Sequence, residues 1–236
     1  MNRKKGFGRR REMTDAEKLE IEINARARVL ADWVPRTDLG KLVKAEKISS
    51  IDEIFEKGQK ILESEIIDSL VKLEEEVVEV AKTTRVVRSG RKFSYRAAVL
   101  VGNKDGYIGI GTAKDVDRFP AITKAKRVAK LNLKKIYRGS GSWEEQATAD
   151  KHSIPFKVVG QCGSVRVTLM PAPKGTGIAV GKNIRRVMEL AGVQNVWGKA
   201  KGRSSVKLNF VRAAVDALEQ TGGAKRSKDI ERKLSK

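Results

Sequence analysis

Residues that commonly perform catalysis are sparse in this sequence. It holds one cysteine, Cys162, and one histidine, His152, which lie ten residues apart and outside any recognisable nucleophile motif. A cysteine nucleophile needs an adjacent base, but a buried structural cysteine is the commoner case. Two such ligands are too few for a structural zinc site. Asp115 and Asp117 could in principle hold a metal, although capping of a following helix explains them more simply.

Two glycine-rich stretches look like nucleotide-binding motifs without satisfying them. In "GTGIAVGKN" the glycines at 175 and 181 are one residue too far apart for a P-loop, and Asn183 stands where Ser or Thr must hold magnesium. "GIGTAK" has two glycines of a dinucleotide fingerprint and Lys114 in place of the third. We therefore expect no cofactor. A glycine-rich loop beside cations still suits phosphate, unless it is simply a tight turn between strand and helix.

The charge of the chain indicates a polyanionic partner. Its 236 residues include 50 Lys and Arg against 29 Asp and Glu, a formal net charge of +21. Residues 12–81 hold 18 acidic and 10 basic residues, whereas residues 82–236 hold 34 basic and 11 acidic. Nucleic acid is the first partner to consider for such a chain. The acidic segment should face protein or solvent, because phosphate would repel it.

No long apolar run occurs in the sequence. Nowhere do about 18 consecutive apolar residues appear, so we expect no membrane partner. The basic start, "MNRKKGFGRRR", is not followed by the apolar region of a secretory signal. The chain is therefore expected to be cytoplasmic, and the basic start could order on RNA.

The elements that must position the basic residues follow from the apolar spacing. Phe93, Tyr95, Ala97, Val99 and Val101 alternate, which predicts a strand with one buried face and a basic outer face. Ser89 and Gly90 are compatible with a primed hairpin turn before this strand. A third strand is predicted near residues 107–114, after the turn-forming "GNKDG".

A basic helix is predicted after these strands, over residues 115–136, with Pro120 in its first turn. Lys126, Lys130 and Lys134 follow at spacing four on one side of it. Three antiparallel strands and a basic helix resemble the latter part of a double-stranded-RNA-binding domain, which recognises RNA by shape and phosphate. A lysine stripe is more often just a solvated helix face. Aromatics form only 5% of the chain, which favours structured RNA over single strands.

The remainder completes an α+β chain. Helices are predicted over residues 14–32 and in the acidic stretch "ESEIIDSLVKLEEEVVEVAK". The region after residue 164 predicts strand, glycine-rich loop, helix ending at Gly192, strand, loop and a last helix from about Ser205. We place an extension at 1–76, the first domain at 77–138, the second at 139–222 and a basic tail at 223–236.

Several long stretches resemble one family, the universal small-subunit ribosomal protein number five in its archaeal and eukaryotic form. They are "WVPRTDLGKLV", "ESEIIDSL", "VVRSGRKFSYRAAVLVGNKDGYIGIGTAK" and "HSIPFKVVGQCGSVRVTLMPAPKGTGIAVGKNIRRVMELAGV". The resemblance implies a double-stranded-RNA-binding-like β-β-β-α domain followed by a left-handed βαβ domain, and a structural role without enzymatic activity. The long arginine-glycine tail of eukaryotic members is absent, which favours the archaeal form.

The resemblance also implies partners and sites. In relatives the first hairpin reaches small-subunit rRNA near the neck and decoding region, beside the mRNA entry channel. With the flanking basic residues, the expected rRNA ligands are Arg85, Arg88, Ser89, Gly90, Arg91, Lys92, Arg96, Lys104, Lys114, Lys126, Lys130, Lys134, Lys199, Lys201 and Arg203. The glycine-rich loop and its helix are expected to contact small-subunit ribosomal protein number four, and this interface bears on decoding accuracy. Its residues would be Gly175, Gly177, Gly181, Lys182, Arg185 and Arg186. Ribosomal protein number eight is a further expected partner.

Two other classes of function stay open at this point. A free double-stranded-RNA-binding regulator would carry similar basic residues but would bind unrelated duplexes nearly as well. A nuclease would need a wider carboxylate cluster for two-metal chemistry, which the sequence does not display. The acidic segment favours the ribosomal interpretation, since it indicates a protein neighbour that a free binder need not have.

Overall fold

A computed structural model describes residues 33–140 and 151–223. The predicted helix at 14–32, the basic start and the tail after residue 223 lie outside these residues. Within them no helix is long and apolar enough to cross a membrane.

The acidic extension forms three short helices, α1 (Asp38–Lys44), α2 (Ile51–Glu56) and α3 (Ser64–Leu70). Side chains of Thr37 and Ser50 cap the first two by accepting hydrogen bonds from the N–H groups of Gly40 and Asp52. The Glu63 carboxylate before α3 accepts bonds from the N–H groups of residues 36 and 37 and from the Trp33 indole. These bonds join the start of the extension to its last helix.

The first sheet contains four antiparallel strands in the order β1-β2-β3-β4, namely β1 (Glu74–Val87), β2 (Gly90–Gly102), β3 (Tyr107–Asp115) and β4 (Leu133–Lys135). The helix predicted for the stretch that ends at residue 82 is therefore only partly correct: α3 stops at residue 70 and β1 begins at residue 74, inside the predicted extension. The β-branched residues of "EEEVVEVAK" pair along β2, and this tertiary pairing outweighs the helix propensity of the glutamates.

The basic helix α4 (Arg118–Leu131) packs against one face of this sheet through Ala121, Ala125 and Ala129. It ends before Leu133, because β4 follows, so the prediction of one helix to residue 136 was too long. Gly111 of β3 lies against this helix so closely that a Cβ there would be 2.2 Å from the Ala125 carbonyl oxygen. The glycines of β3 thus let helix and sheet approach one another.

The other face of the first sheet is also buried, at the end of the sheet where β2 finishes and β3 begins. Leu100 and Ile108 are fully buried in a core shared with the second domain. The predicted basic outer face of β2 is therefore wrong beyond Arg96, since the second domain covers it. The unbroken apolar run "AAVLV" at residues 97–101 is typical of a strand that is buried on both faces, and it is the signal that could have predicted this.

The second sheet has the order β5-β6-β8-β7, with strands β5 (Val158–Cys162), β6 (Val165–Pro171), β7 (Ile178–Ala179) and β8 (Val196–Lys201). Helix α5 (Lys182–Ala191) connects β7 to β8, which pair in parallel, and α6 (Lys207–Glu219) follows. The predicted elements occur in the predicted order, but two strands were not predicted: β5, and the two-residue β7 inside the glycine-rich loop. Gly192 ends α5 at φ +77°. The left-handed connection stays a prediction.

His152 and Cys162 have structural surroundings. His152 is buried, and its Nδ1 lies 2.9 Å from the Asn195 amide nitrogen. The Asn195 side-chain oxygen in turn accepts the Gly177 N–H at 2.9 Å, so this network holds the glycine-rich loop. Cys162 lies at the end of β5, partly buried against the core.

Candidate RNA-binding surface

The first two strands project beyond the third. Pairing between β2 and β3 ends at Tyr95 opposite Asp115, whereas pairing between β1 and β2 continues to Val87 opposite Gly90. Residues 82–94, here termed the hairpin arm, are therefore a two-stranded ribbon. An isolated two-stranded ribbon is only marginally stable in water. The arm is thus a segment that a bound partner would stabilise.

One face of the arm and the adjoining sheet carries a line of cations. Arg85 lies opposite Lys92, and Arg96 lies opposite Lys114. Directly opposite residues share a face of an antiparallel sheet, as do residues two apart on a strand, so the four side chains lie on the same face. We term these four residues the basic stripe. No ion pair joins any of them to an acid within residues 33–140 and 151–223.

The basic stripe ends beside the second domain. Thr112, two residues from Lys114, accepts a hydrogen bond of 3.0 Å from the Arg212 guanidinium of α6. Between the two pairs of the stripe, the Thr83 and Ser94 hydroxyls lie 2.8 Å apart. The same face also holds Glu79, Ala81 and Val87, so it is mainly polar and basic but includes one acid and two apolar side chains.

The turn at the end of the arm differs from the prediction. Its two central residues are Arg88 and Ser89, and Gly90 already pairs with Val87. Gly90 has φ +121°, whereas neither central residue has a positive φ, so this is not a primed turn. Arg88, Ser89, Gly90 and Arg91 are all exposed. The tip consequently presents two arginine side chains to solvent.

The opposite face of the arm is exposed and mixed: Phe93 and Val86 lie on it together with Lys82, Thr84 and Arg91. Phe93, predicted to be buried, is 48% exposed, and Val86 is 77% exposed. The Lys82 ammonium lies 3.9 Å from the centroid of the Phe93 ring, a cation–π contact. The alternation of β2 is correct, but its buried face ends where α4 no longer covers the sheet.

The lysines of the predicted helical stripe have acidic partners. Lys126 lies 2.5 Å from Glu75, while Lys130 lies 2.8 Å from Asp68 and 3.3 Å from Glu75. Lys134 belongs to β4 and pairs with a carboxylate of the second domain, Glu219. Their role as rRNA ligands stays a prediction, but each already has an intramolecular partner. The same holds for Lys104, which lies 2.6 Å from Glu74.

A second group of cations lies on and after β8. Lys199, Lys201 and Arg203 are exposed, and none has an acidic partner among the described residues. Arg166 lies opposite Lys201 on the neighbouring strand and donates to the side-chain oxygen of Gln161 at 3.1 Å. Arg166 and Arg212 were missed by the sequence analysis. The period-two pattern of "SVRVTL" does place Arg166 on the outer face, whereas nothing in the sequence places Arg212 beside β3.

The glycine-rich loop lies at the N-terminus of α5. Gly175 and Gly177 have φ of +89° and +70°, and Gly181 precedes the helix. Lys182 and Arg185 are exposed and form no ion pair with another described residue. The predicted interface residue Arg186 points elsewhere: its guanidinium lies 2.8 Å from Glu76 of β1. It therefore joins the two domains of this chain.

Two acids near these elements have shifted pKa values. Asp52 of α2 is partly desolvated, which opposes its ionisation, but the hydrogen bond and charge of Lys135 and the hydrogen bond from Tyr107 outweigh this and lower its pKa. Burial and the neighbouring Asp52 raise the pKa of Tyr107. Asp115 has a lowered pKa because it accepts a hydrogen bond from Lys124, 2.6 Å away.

Within the described parts of the chain no three His, Cys, Asp or Glu residues could hold a metal ion.

Two family models match the two domains. The model described as ribosomal protein S5, N-terminal domain, matches residues 73–137, and the C-terminal domain model matches residues 160–233. The first match begins at the start of β1, and the second covers most of the second sheet and both of its helices.

Curated archaeal relatives resemble most of the chain. The small ribosomal subunit protein uS5 of Methanothermobacter thermautotrophicus is 49% identical over 203 residues, which cover 85% of this chain and 94% of the relative. The protein of the same name from Methanoregula boonei is 48% identical over 192 residues, 81% of this chain and 93% of the relative. That of Methanobrevibacter smithii is 47% identical over 197 residues, covering 83% and 92%. This chain therefore belongs to the ribosomal protein S5 family, and it is a structural, non-enzymatic component of the small ribosomal subunit in the cytoplasm.

Proposed function

We propose that this chain binds small-subunit rRNA through the hairpin arm, and that it thereby supports decoding accuracy beside the mRNA entry channel. The observation that carries the proposal is the basic stripe with the exposed arginines of the tip. Arg85, Arg88, Arg91 and Lys92 lie on the projecting ribbon, and Arg96 and Lys114 lie where the ribbon joins the sheet. None of these cations has an acidic partner among the described residues. Phosphates are partners that can neutralise them, and counterion release then makes binding strongly salt-dependent.

The arm recognises phosphate and shape in this proposal. The basic stripe consists of two cation pairs, Arg85 with Lys92 and, further along the sheet, Arg96 with Lys114. These two pairs can contact successive phosphates of one RNA chain. Like charges at this spacing repel one another in the free protein. Binding removes that repulsion and orders a ribbon that is only marginally stable by itself. Residues of the stripe should therefore affect affinity more than base specificity.

Substitution of the arm tip tests this role. Arg88→Ala, Arg91→Ala and Lys92→Ala together should weaken binding to a small-subunit rRNA fragment and reduce the slope of log affinity against log salt by about three, roughly one per lost phosphate contact. Filter binding of the full chain over a salt series measures both. The matched control replaces Lys47, Lys57 and Lys60, three exposed lysines of the extension, by alanine. Equal losses in the two variants would show a general effect of net charge and contradict the assignment.

A second contact would join the glycine-rich loop and α5 to small-subunit ribosomal protein number four. Lys182 and Arg185 support this proposal, since both are exposed and lack an acidic partner in the described part of the chain, whereas Arg186 pairs with Glu76. Lys182→Ala with Arg185→Ala should weaken association with that protein about tenfold, as expected for two contacts at an interface, and should raise misreading by reconstituted ribosomes. Unchanged association and misreading would contradict it. Ribosomal protein number eight is proposed as a further neighbour, without an assigned surface.

A further inference from the structure

The second sheet has one face that no element of the described chain covers. Helices α5 and α6 pack against the other face, where Val167, Leu169 and Val196 are fully buried. The alternate residues of the same strands point away from this core. A four-stranded sheet with one covered and one open face is a surface on which a partner can lie.

The open face divides into an apolar end and a basic end. At the apolar end, Met170 of β6 lies opposite Trp197 of β8, which in turn lies beside Ala179 of β7. Trp197 is 43% exposed. The small side chain of Ala179 leaves room beside the indole. The Trp197 indole is therefore exposed on the open face of the sheet.

The basic end follows directly along β8. Lys199 and Lys201 lie two and four residues after Trp197 on the same face, and Arg166 lies opposite Lys201. Residues two apart on a strand are about 6.6 Å apart, a step comparable to one extended nucleotide. Every charged residue on the described part of this face is a cation, and none of the three has an acidic partner there.

We propose that this open face binds unpaired nucleotides of RNA, with one base stacked on Trp197 and the adjoining phosphates on Lys199, Lys201 and Arg166. The charge complementarity selects RNA over a protein partner. The exposed indole selects unpaired bases over a duplex, because a duplex hides the faces of its bases. The site rests on the function proposed above only in that its ligand is RNA, and it shares no residue with the hairpin arm.

Tryptophan fluorescence of the full chain gives a direct test. A short unstructured oligoribonucleotide should quench the emission of the wild-type protein. In Trp197→Phe the other tryptophans, Trp33 and Trp143, still emit, and the oligonucleotide should not quench this emission. The fluorescence anisotropy of a labelled oligonucleotide measures affinity independently of the tryptophan emission. Trp197→Phe should keep most of the affinity, whereas Trp197→Ala should lose about tenfold or more, the loss expected for one stacked base.

Two controls make each outcome decisive. Phe156→Ala removes another partly exposed aromatic, just outside β5, and should leave oligonucleotide binding unchanged. The arm variant Arg88→Ala, Arg91→Ala and Lys92→Ala should lose binding to structured rRNA while the quenching persists. Quenching that survives in Trp197→Phe would overturn the proposal, as would equal affinities of Trp197→Ala and wild type. Either result would leave the function of the arm intact.

A last measurement distinguishes RNA from a protein occupant. A photo-crosslinking amino acid at position 197, in assembled small subunits, should yield crosslinks to RNA. Crosslinks to a neighbouring protein instead would mean that the open sheet face is a protein interface, and the proposal would be wrong even if the isolated chain bound oligonucleotides.

Discussion

The hairpin arm and helix α4 are both rich in cations, but only the helix has acids to match them. Lys126 and Lys130 lie within 3.3 Å of carboxylates from α3 and β1. No described acid pairs with a cation of the basic stripe. A count of positive charge along the sequence gives the two elements equal weight. The comparison shows that an RNA-binding surface is better identified by charge left over after intramolecular pairing.

The acidic extension and the start of β1 explain why the unpaired positive charge lies on the arm and not on α4. The last helix of the extension and the start of β1 bring Asp68, Glu75 and Glu76 against cations of both domains. Pairs that are partly buried are screened less by salt than exposed charges, whose interactions fade over about 10 Å at 0.1 M ionic strength. The helix pairs should therefore persist at salt concentrations that release RNA from the arm.

The largest expected effect is a loss of stability where helix α4 packs on the sheet, and it should result from Gly111→Ala. A Cβ at this position would lie 2.2 Å from backbone atoms of both Ala125 and Ala129, and backbone cannot move aside as a long side chain can. Overpacking of this kind typically costs about 1–3 kcal/mol, and the tight backbone contact predicts the upper end of that range. Urea unfolding followed by circular dichroism measures the loss.

Gly160→Ala is the matched variant in the second domain. Its Cβ would lie 2.1 Å from the Ala213 carbonyl oxygen in α6, so it should destabilise the chain to a similar degree. The two variants should differ in hydrogen exchange: Gly111→Ala should reduce protection in α4, and Gly160→Ala in α6. A Gly111→Ala chain with wild-type stability would show that α4 does not pack as closely on the sheet as described.

Much of this arrangement follows from local pattern, and the rest depends on long-range contacts. The alternation in β2 and the end of α5 at Gly192 were predictable because each depends on neighbours in sequence. The residues that cover Leu100 on the second face of β2 were not predictable, because they belong to a domain whose core residues lie at positions 154–218. The partners of Lys126 and Lys130 were missed because they too lie far away in the sequence.

The hairpin arm illustrates both cases. Its basic residues were predicted correctly as exposed, but Phe93 was expected in the core because it continues the apolar alternation of Tyr95 and Ala97. The period of a strand gives the face on which a residue lies. It does not give the length over which another element covers that face. The third strand ends opposite Tyr95, and exposure begins there.

A smaller effect is expected from Glu75→Gln, which removes the acid shared by Lys126 and Lys130. Both pairs are partly shielded from solvent: side-chain exposure is 26% for Glu75, 15% for Lys130 and 37% for Lys126. Their loss should lower the free energy of unfolding by about 1–2 kcal/mol, between the values for exposed and buried pairs. Lys126 loses its acidic partner, whereas Lys130 keeps Asp68, and the freed Lys126 should strengthen non-specific binding to duplex RNA. Thermal unfolding and filter binding measure the two effects.

Glu74→Gln is the control for this substitution. The Glu74 and Lys104 side chains are each more than half exposed, so their pair should contribute at most about 0.5 kcal/mol. If Glu75→Gln changed neither stability nor RNA affinity, the acids would not be what distinguishes the helix from the arm, and the comparison would fail.

The smallest effect concerns the acid that holds the extension together. Desolvation opposes ionisation of Glu63, but hydrogen bonds from Thr37, Arg36 and Trp33 outweigh it, so its pKa in the folded chain lies below the ordinary value of 4.5. A lowered folded pKa adds stability above the unfolded pKa, and that stability is lost as pH falls through the folded pKa. The extension should therefore loosen below about pH 4.5, and the contact of Asp68 with Lys130 should loosen with it.

Glu63→Gln should remove this pH dependence. Hydrogen-exchange protection of the amides of residues 36 and 37, corrected for intrinsic rates, should fall on acidification in the wild type and stay level in the variant. Parallel curves for the two proteins would mean that another acid controls the extension, and that the pairing of α4 does not depend on Glu63.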